Sequence, residues 1–242
     1  LYLDVVPIGG APAAPRVGEE PAIEYAVKLR QFDPAATADR RVATLAAAAV
    51  ESLAERLARF HAELPPQTAP EVERHARENL AELAQELREA GIPRSLASLE
   101  AWTARQCEAS RDTFAERAAA GAIREGHGDL HLENLVEIDG DLVPFDALEF
   151  DVTLRSIDVV DEIAFPVMDL VAHGRRDLAA RLLNRYLEVS GDYSGTRLLR
   201  FYVVYRALVR AKVRAIKAAQ KPERSAAADA ITRYLDVAER WT

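Results

Sequence analysis

An Asp139-Gly140 dipeptide between the apolar runs 135–138 (LVEI) and 142–145 (LVPF) is the feature that most limits what this chain can fold into. Asp-Gly suits the two-residue turn that joins antiparallel strands, because both of its central positions need positive φ. A strand–turn–strand is therefore expected in the middle of sequence that otherwise reads as helix. From Asp33-Pro34 to about residue 120 the chain is rich in Ala, Leu, Arg and Glu. Leu53, Leu57 and Phe60 share one helical face, and Leu80, Leu83 and Leu87 another. Asp33 is suited to cap a helix with Pro34 at its first position. Pro65-Pro66 and Gly91-Ile92-Pro93 break the helical pattern. After residue 157 helix returns, with breaks at Gly174, Gly191 and Gly195. Only the start is strand-like otherwise, over 1–8 and 23–29, with Gly9 to Glu20 reading as a long loop. Two strands, helices, one hairpin and more helices imply an α+β protein with a small β part.

The 242 residues are enough to bury a real core. A net charge of −8 disfavours generic binding to nucleic acid or anionic membranes. Cys107 is the only cysteine, which excludes an intrachain disulfide and a cysteine-rich zinc site, fits a reducing compartment and points to a cytoplasmic protein. No apolar run approaches the ~20 residues that span a bilayer. The chain opens on Leu1, directly in strand-like sequence, so the natural protein is expected to begin earlier.

Chemistry concentrates just before the hairpin. Residues 127–134, His-Gly-Asp-Leu-His-Leu-Glu-Asn, place Asp129 two residues after His127 and Asn134 five residues after Asp129. With the chain turned at Asp139-Gly140, Asn134 at the entry faces Phe145 at the exit, so Asp146 becomes its neighbour. Two carboxylates and an amide in this arrangement suit Mg²⁺-dependent phosphoryl transfer to a hydroxyl, since hard Mg²⁺ takes oxygen ligands and substrate phosphates. Asp129 has no obvious metal-sharing neighbour in its loop and is the candidate general base. A rival is a metallohydrolase using His127, Asp129 and His131. Gly126 and Gly128 oppose the helix that such a histidine pair needs, and H-E-x-x-H is absent.

His127-Gly128-Asp129-Leu130-His131, Asn134 and Asp146 resemble the motif of the aminoglycoside phosphotransferase-like branch of the protein-kinase-like fold. The segment from Phe145 to Phe150, followed by Leu154-Arg155-Ser156-Ile157-Asp158, is similar to a narrower bacterial group that is often fused to a P-loop ATPase domain. The resemblance implies a mostly helical C-lobe over 33–242 and the last strands of a small N-lobe over 1–32. It implies Asp129 as catalytic aspartate, Asn134 and Asp146 as metal ligands, and His127 in the catalytic loop with a mainly bracing role. ATP and Mg²⁺ would be the cofactors and a small-molecule hydroxyl the acceptor. Lys28 to Phe32 would be the hinge, with Lys28, Leu29 and Arg30 at the nucleotide. One of Asp158, Asp161 and Glu162 would brace the catalytic loop.

The sequence departs from the family pattern in one respect. No G-x-G-x-x-G and no Walker A sequence occurs, and only helices follow Lys28 before the catalytic loop. Lys28 therefore reads as a hinge residue or an exposed strand lysine rather than the phosphate-clamping lysine. A non-catalytic kinase-like module serving an ATPase, RNA or protein partner is the alternative. His131, Glu149, Asp151, Arg155 and Asp158 are candidates for substrate contact or support, with Arg155 an ion-pair partner for Asp158, Asp161 or Glu162. Residues 197–224 carry nine Lys/Arg against Glu223 alone. They read either as a solvated helix face or as a surface for an anionic substrate, RNA or a protein.

Overall fold

The computed structural model describes residues 1–149, 151–220 and 224–242. The central hairpin forms as its turn residues require. β5 (Leu135–Ile138) and β6 (Asp141–Pro144) pair antiparallel with Leu135 opposite Pro144. Asp139 and Gly140 have φ of 53° and 88°. Phe145 N–H continues the ladder by donating to Asn134 O at 3.0 Å, so the entry and exit of the hairpin face each other as the sequence indicates.

The N-terminal sheet has the strand order β2-β1-β3, with β1 (Tyr2–Ala11), β2 (Ala14–Val17) and β3 (Glu24–Leu29). The expected loop from Gly9 to Glu20 is mostly strand. β1 runs through both glycines and turns back at once, pairing Ala11 with Ala14 and Ile8 with Val17. Gly9 is needed there because a Cβ would lie 2.3 Å from Glu19 O. Glycine at this position thus marks a close backbone approach within a strand rather than a loop. Tyr2, Leu3, Val5, Tyr25, Val27 and Leu29 on this sheet are all exposed.

The rest is helical. Asp33 caps a 3₁₀ turn, accepting from Ala35 N at 2.8 Å, with Pro34 first in the turn. The helices that follow are α1 (Ala38–Arg41), α2 (Ala47–Glu63), α3 (Val72–Glu89), α4 (Ala97–Ala109) and α5 (Arg111–Ala119). After the hairpin come α6 (Val159–Ala172), α7 (Arg176–Ser190), α8 (Thr196–Ala219) and α9 (Arg224–Arg240). Two short strands, β4 (Ile123–Glu125) and β7 (Ser156–Asp158), pair antiparallel beneath the hairpin's flanks.

The core centres on α6, buried without a break from Val159 to Leu170. α8 packs against α3, α6 and α9, and α2 against α7. Leu80, Leu83 and Leu87 enter the core as their spacing indicates. On α2, Leu53 and Leu57 do so, but Phe60 is 45% exposed and His61 takes the inward position. The i, i+4, i+8 row runs 53, 57, 61, and the buried His61 finds the Tyr186 hydroxyl at 2.8 Å. Among the described residues no helix is long and apolar enough to cross a membrane.

Candidate functional site

β4 ends at Glu125, and the loop that begins at Gly126 is held from below by α6. Both oxygens of Glu162 accept from His127 N, each at 2.9 Å. Gly126 has to be glycine, since a Cβ there would sit 1.6 Å from Glu162 Oε2. Of the three acids offered as the loop brace, Glu162 is the one that fills the role. Its carboxyl is pushed up by burial, but the His61 contact and the His127 N–H outweigh this and hold it below its ordinary value. His127 is occupied at both nitrogens. Nε2 lies 2.8 Å from Phe145 O, and Asp129 N donates to Nδ1 at 3.3 Å. These bonds assign the Nε2–H tautomer. His127 thereby ties the loop to the hairpin exit and has no lone pair left for zinc, which removes the metallohydrolase reading.

Asp129 is partly buried at the loop's centre. Its carboxylate meets His131 Nε2 at 3.2 Å and accepts from Asn134 Nδ2 at 3.1 Å. Burial raises the Asp129 pKa, but His131 and the nearby Arg210 and Arg206 charges outweigh it, so the group stays below the usual aspartate range. Asn134 Nδ2 also donates to Asp129 O at 3.0 Å. With its donor end fixed, the amide presents Oδ1 away from Asp129. Asp146 follows the hairpin with a left-handed φ of 60°, a conformation rare outside glycine and often found where a side chain is being aimed. Its side chain is exposed and unpartnered among the described residues, while its N–H donates to the Tyr2 hydroxyl at 3.1 Å. Phe32 packs edge-on against Phe145 with ring centroids 4.9 Å apart. One end of the N-terminal sheet thus abuts the hairpin exit.

Behind the loop, α8 supplies a cationic clamp. Arg206 pairs with Asp161 through two bonds of 2.6 and 2.7 Å and donates to Gly128 O at 3.0 Å. Arg210 lies 3.1 Å from Glu133, which Arg214 also meets. Asp169 accepts from Leu132 N at 2.9 Å and from the Tyr234 hydroxyl at 2.8 Å. Much of the basic stretch is therefore paired within the fold, while Arg197, Arg200 and Lys217 remain exposed. Arg197 pairs with Glu116, Lys212 with Glu82, and Arg200 donates to the Trp241 and Thr242 carbonyls. Lys221, Glu223 and the Arg224 side chain lie outside the described residues.

The remaining candidates divide. Lys28 and Leu29 are exposed on β3, and Arg30 N donates to Leu1 O at 2.9 Å, so the Arg30 N–H expected to face a nucleotide is engaged by the neighbouring strand. Glu149 is exposed. Asp151 is a local cap, accepting from Thr153 N and Oγ1 at 2.8 and 2.7 Å. Arg155 pairs with Glu125 at 2.7 Å and donates to Leu148 O, not with the acids of α6. Asp158 is buried under a two-bond Arg117 pair and caps α6 through Val160 N. Asp151, Arg155 and Asp158 hold local structure through these bonds.

Sequence reading missed Glu133, Asp169, Arg206 and Arg210 as loop supports. For Asp169 a signal was present in V-V-D-E-I-A-F-P-V-M-D-L, where it is one of three acids interrupting an apolar helix. Buried charges of this kind need partners.

No model of a known protein family matches the chain. The chain is similar to uncharacterized proteins of Mycobacterium tuberculosis and Mycobacterium bovis, 38% identical over 198 residues that cover 78% of this chain. It spans 39% of the length of these relatives.

Proposed function

We propose that the chain carries the catalytic half of an ATP- and Mg²⁺-dependent phosphotransferase of the aminoglycoside phosphotransferase-like kind, acting on a small-molecule hydroxyl. The observation that carries this reading is the Asn134–Asp129 bond beside the exposed Asp146. It sorts the oxygens into one carboxylate facing a cavity and an amide oxygen with a second carboxylate at the hairpin. Asn134 and Asp146 are the residues that would hold Mg²⁺. Among the described residues no three His, Cys, Asp or Glu side chains form a ready cage. Mg²⁺ characteristically takes one or two protein oxygens and completes its shell with phosphates and water. When bound, Mg²⁺ neutralises charge on the transferred phosphoryl group.

The chain's own residues do the rest. Asp129, ionised at neutral pH, orients the acceptor hydroxyl and takes its proton. His127 and Glu162 fix the peptide that carries Asp129, and Arg206 fixes the Gly128 carbonyl beside it. Residues 1–32 would be the end of the small lobe, with the Phe32–Phe145 contact as its seat.

A second reading is a non-catalytic kinase-like module that serves an attached P-loop ATPase domain. The absence of a G-x-G-x-x-G or Walker A sequence from these residues favours this reading. So does the greater length of the relatives. ATP titration with Mg²⁺ into the complete natural protein, followed by a phosphate-transfer assay, separates the two. Transfer that Asp129→Asn reduces roughly 10²- to 10⁴-fold, and that Asp146→Ala makes dependent on far higher Mg²⁺, supports the phosphotransferase. ATP binding without Asp129-dependent transfer supports the module.

A further inference from the structure

Asp129 opens onto a cavity of roughly 400 Å³ between α3, α8 and the segment 148–158. One wall residue has no structural explanation. Asn79 on α3 is 4% exposed, and neither its amide oxygen nor its amide nitrogen has a hydrogen-bond partner. Buried amides are almost always paired, and this one lines the same cavity as Asp129.

The charges on the walls narrow what can enter. Each wall cation already has an anion: Arg206 has Asp161, and Lys212 has Glu82 at 2.6 Å. The wall anions Asp158 and Glu78 are matched by Arg117 and Arg74. An acidic acceptor finds no unengaged guanidinium or ammonium among them. A polycationic one finds only Asp129 partly open within the cavity, since Glu78 and Glu82 sit at its exposed rim in pairs with Arg74 and Lys212. Much of the remaining wall is apolar, including Val72, Leu154, Ile157 and Val209.

We infer that the acceptor is a neutral polyol with an apolar ring face, one hydroxyl at Asp129 and a neighbouring pair of hydroxyls at Asn79. Asn79 presents a donating NH₂ and an accepting carbonyl side by side, and two adjacent hydroxyls can answer both. This rests on the phosphotransferase reading for the role of Asp129, but not for binding. Asn79 is a specificity residue: a site built to bond a hydroxyl rejects an analogue that leaves the amide unpaired.

The test measures binding first, without nucleotide. Saturation-transfer NMR on the complete protein uses D-ribose, D-glucose and myo-inositol as neutral probes, with glucosamine and glucuronate as charged controls. The neutral probes are expected to bind, and Asn79→Leu to weaken them at least tenfold. Tm is expected to hold or rise in Asn79→Leu, because the substitution removes an unpaired buried amide; a purely structural Asn79 would instead lose stability. Absence of binding by every neutral probe, preference for a charged control, or unchanged affinity in Asn79→Leu overturns the inference. Adding ATP and Mg²⁺ then separates the two claims. Neutral probes that bind through Asn79 but receive no phosphate leave this inference standing and remove the phosphotransferase reading.

Discussion

Two groups of carboxylates lie back to back in this protein and behave oppositely. On the α6 side, Asp158, Asp161, Glu162 and Asp169 are all buried, and each is matched by arginine, backbone N–H, histidine or tyrosine. On the loop and hairpin side, Asp129 is only partly matched and Asp146 is exposed. Acid residues alone do not mark a site. Those whose oxygens are fully engaged build the support, and those left open are available for chemistry.

The comparison is most severely tested at Arg206. Replacing it with Met leaves Asp161 buried and unpaired, and the expected loss is about 3–5 kcal/mol, read as a lowered urea midpoint. Adding Asp161→Leu is expected to recover most of that loss. If Arg206→Met alone is neutral, the saturated cluster is not structural. Gly126→Ala comes next. Its Cβ collides with Glu162, with an expected destabilisation of about 1–3 kcal/mol and a displaced loop, seen by calorimetry and by loss of transfer activity.

His131→Leu is expected to act on chemistry more than on stability. Without the His131 contact, Asp129 loses its strongest favourable partner and its pKa rises. On the phosphotransferase reading, the acid limb of the pH–rate profile should then move upward. An unmoved limb would remove Asp129 from the rate-determining ionisation. Asp151→Ala should do least, shifting Tm by no more than about 2 °C and leaving turnover unchanged. A large drop in turnover would transfer Asp151 from support to chemistry.

Local rules made much of this legible. Asp139-Gly140 specified the turn, and Asp33-Pro34 a capped start, because both act through backbone geometry within a few residues. The facing of Asn134 and Phe145 followed from that turn alone. What sequence could not show was pairing over long separations. Nothing local says that Arg206 meets Asp161 and Gly128, or that Arg155 prefers Glu125 to the acids three to seven residues ahead. The exposed Phe60 and buried His61 show the same limit. Helical periodicity gives a face only to within one residue, and the partner, here Tyr186, decides which residue points inward. The basic run shows the same limit: charge count along a helix does not reveal that the counter-charges of Arg206, Arg210 and Lys212 sit on other elements.

The two-residue turn also acts as a ruler. Side chains alternate across a strand, so the length of the turn decides which residue of the exit stands beside Asn134 and which carbonyl receives the His127 ring. One residue deleted, with the two-residue turn kept, would bring Asp146 to the place of Phe145 and carry its carboxylate to the opposite face, with every proposed site residue still present in the sequence. The spacing of the hairpin is as much a part of the site as its carboxylates.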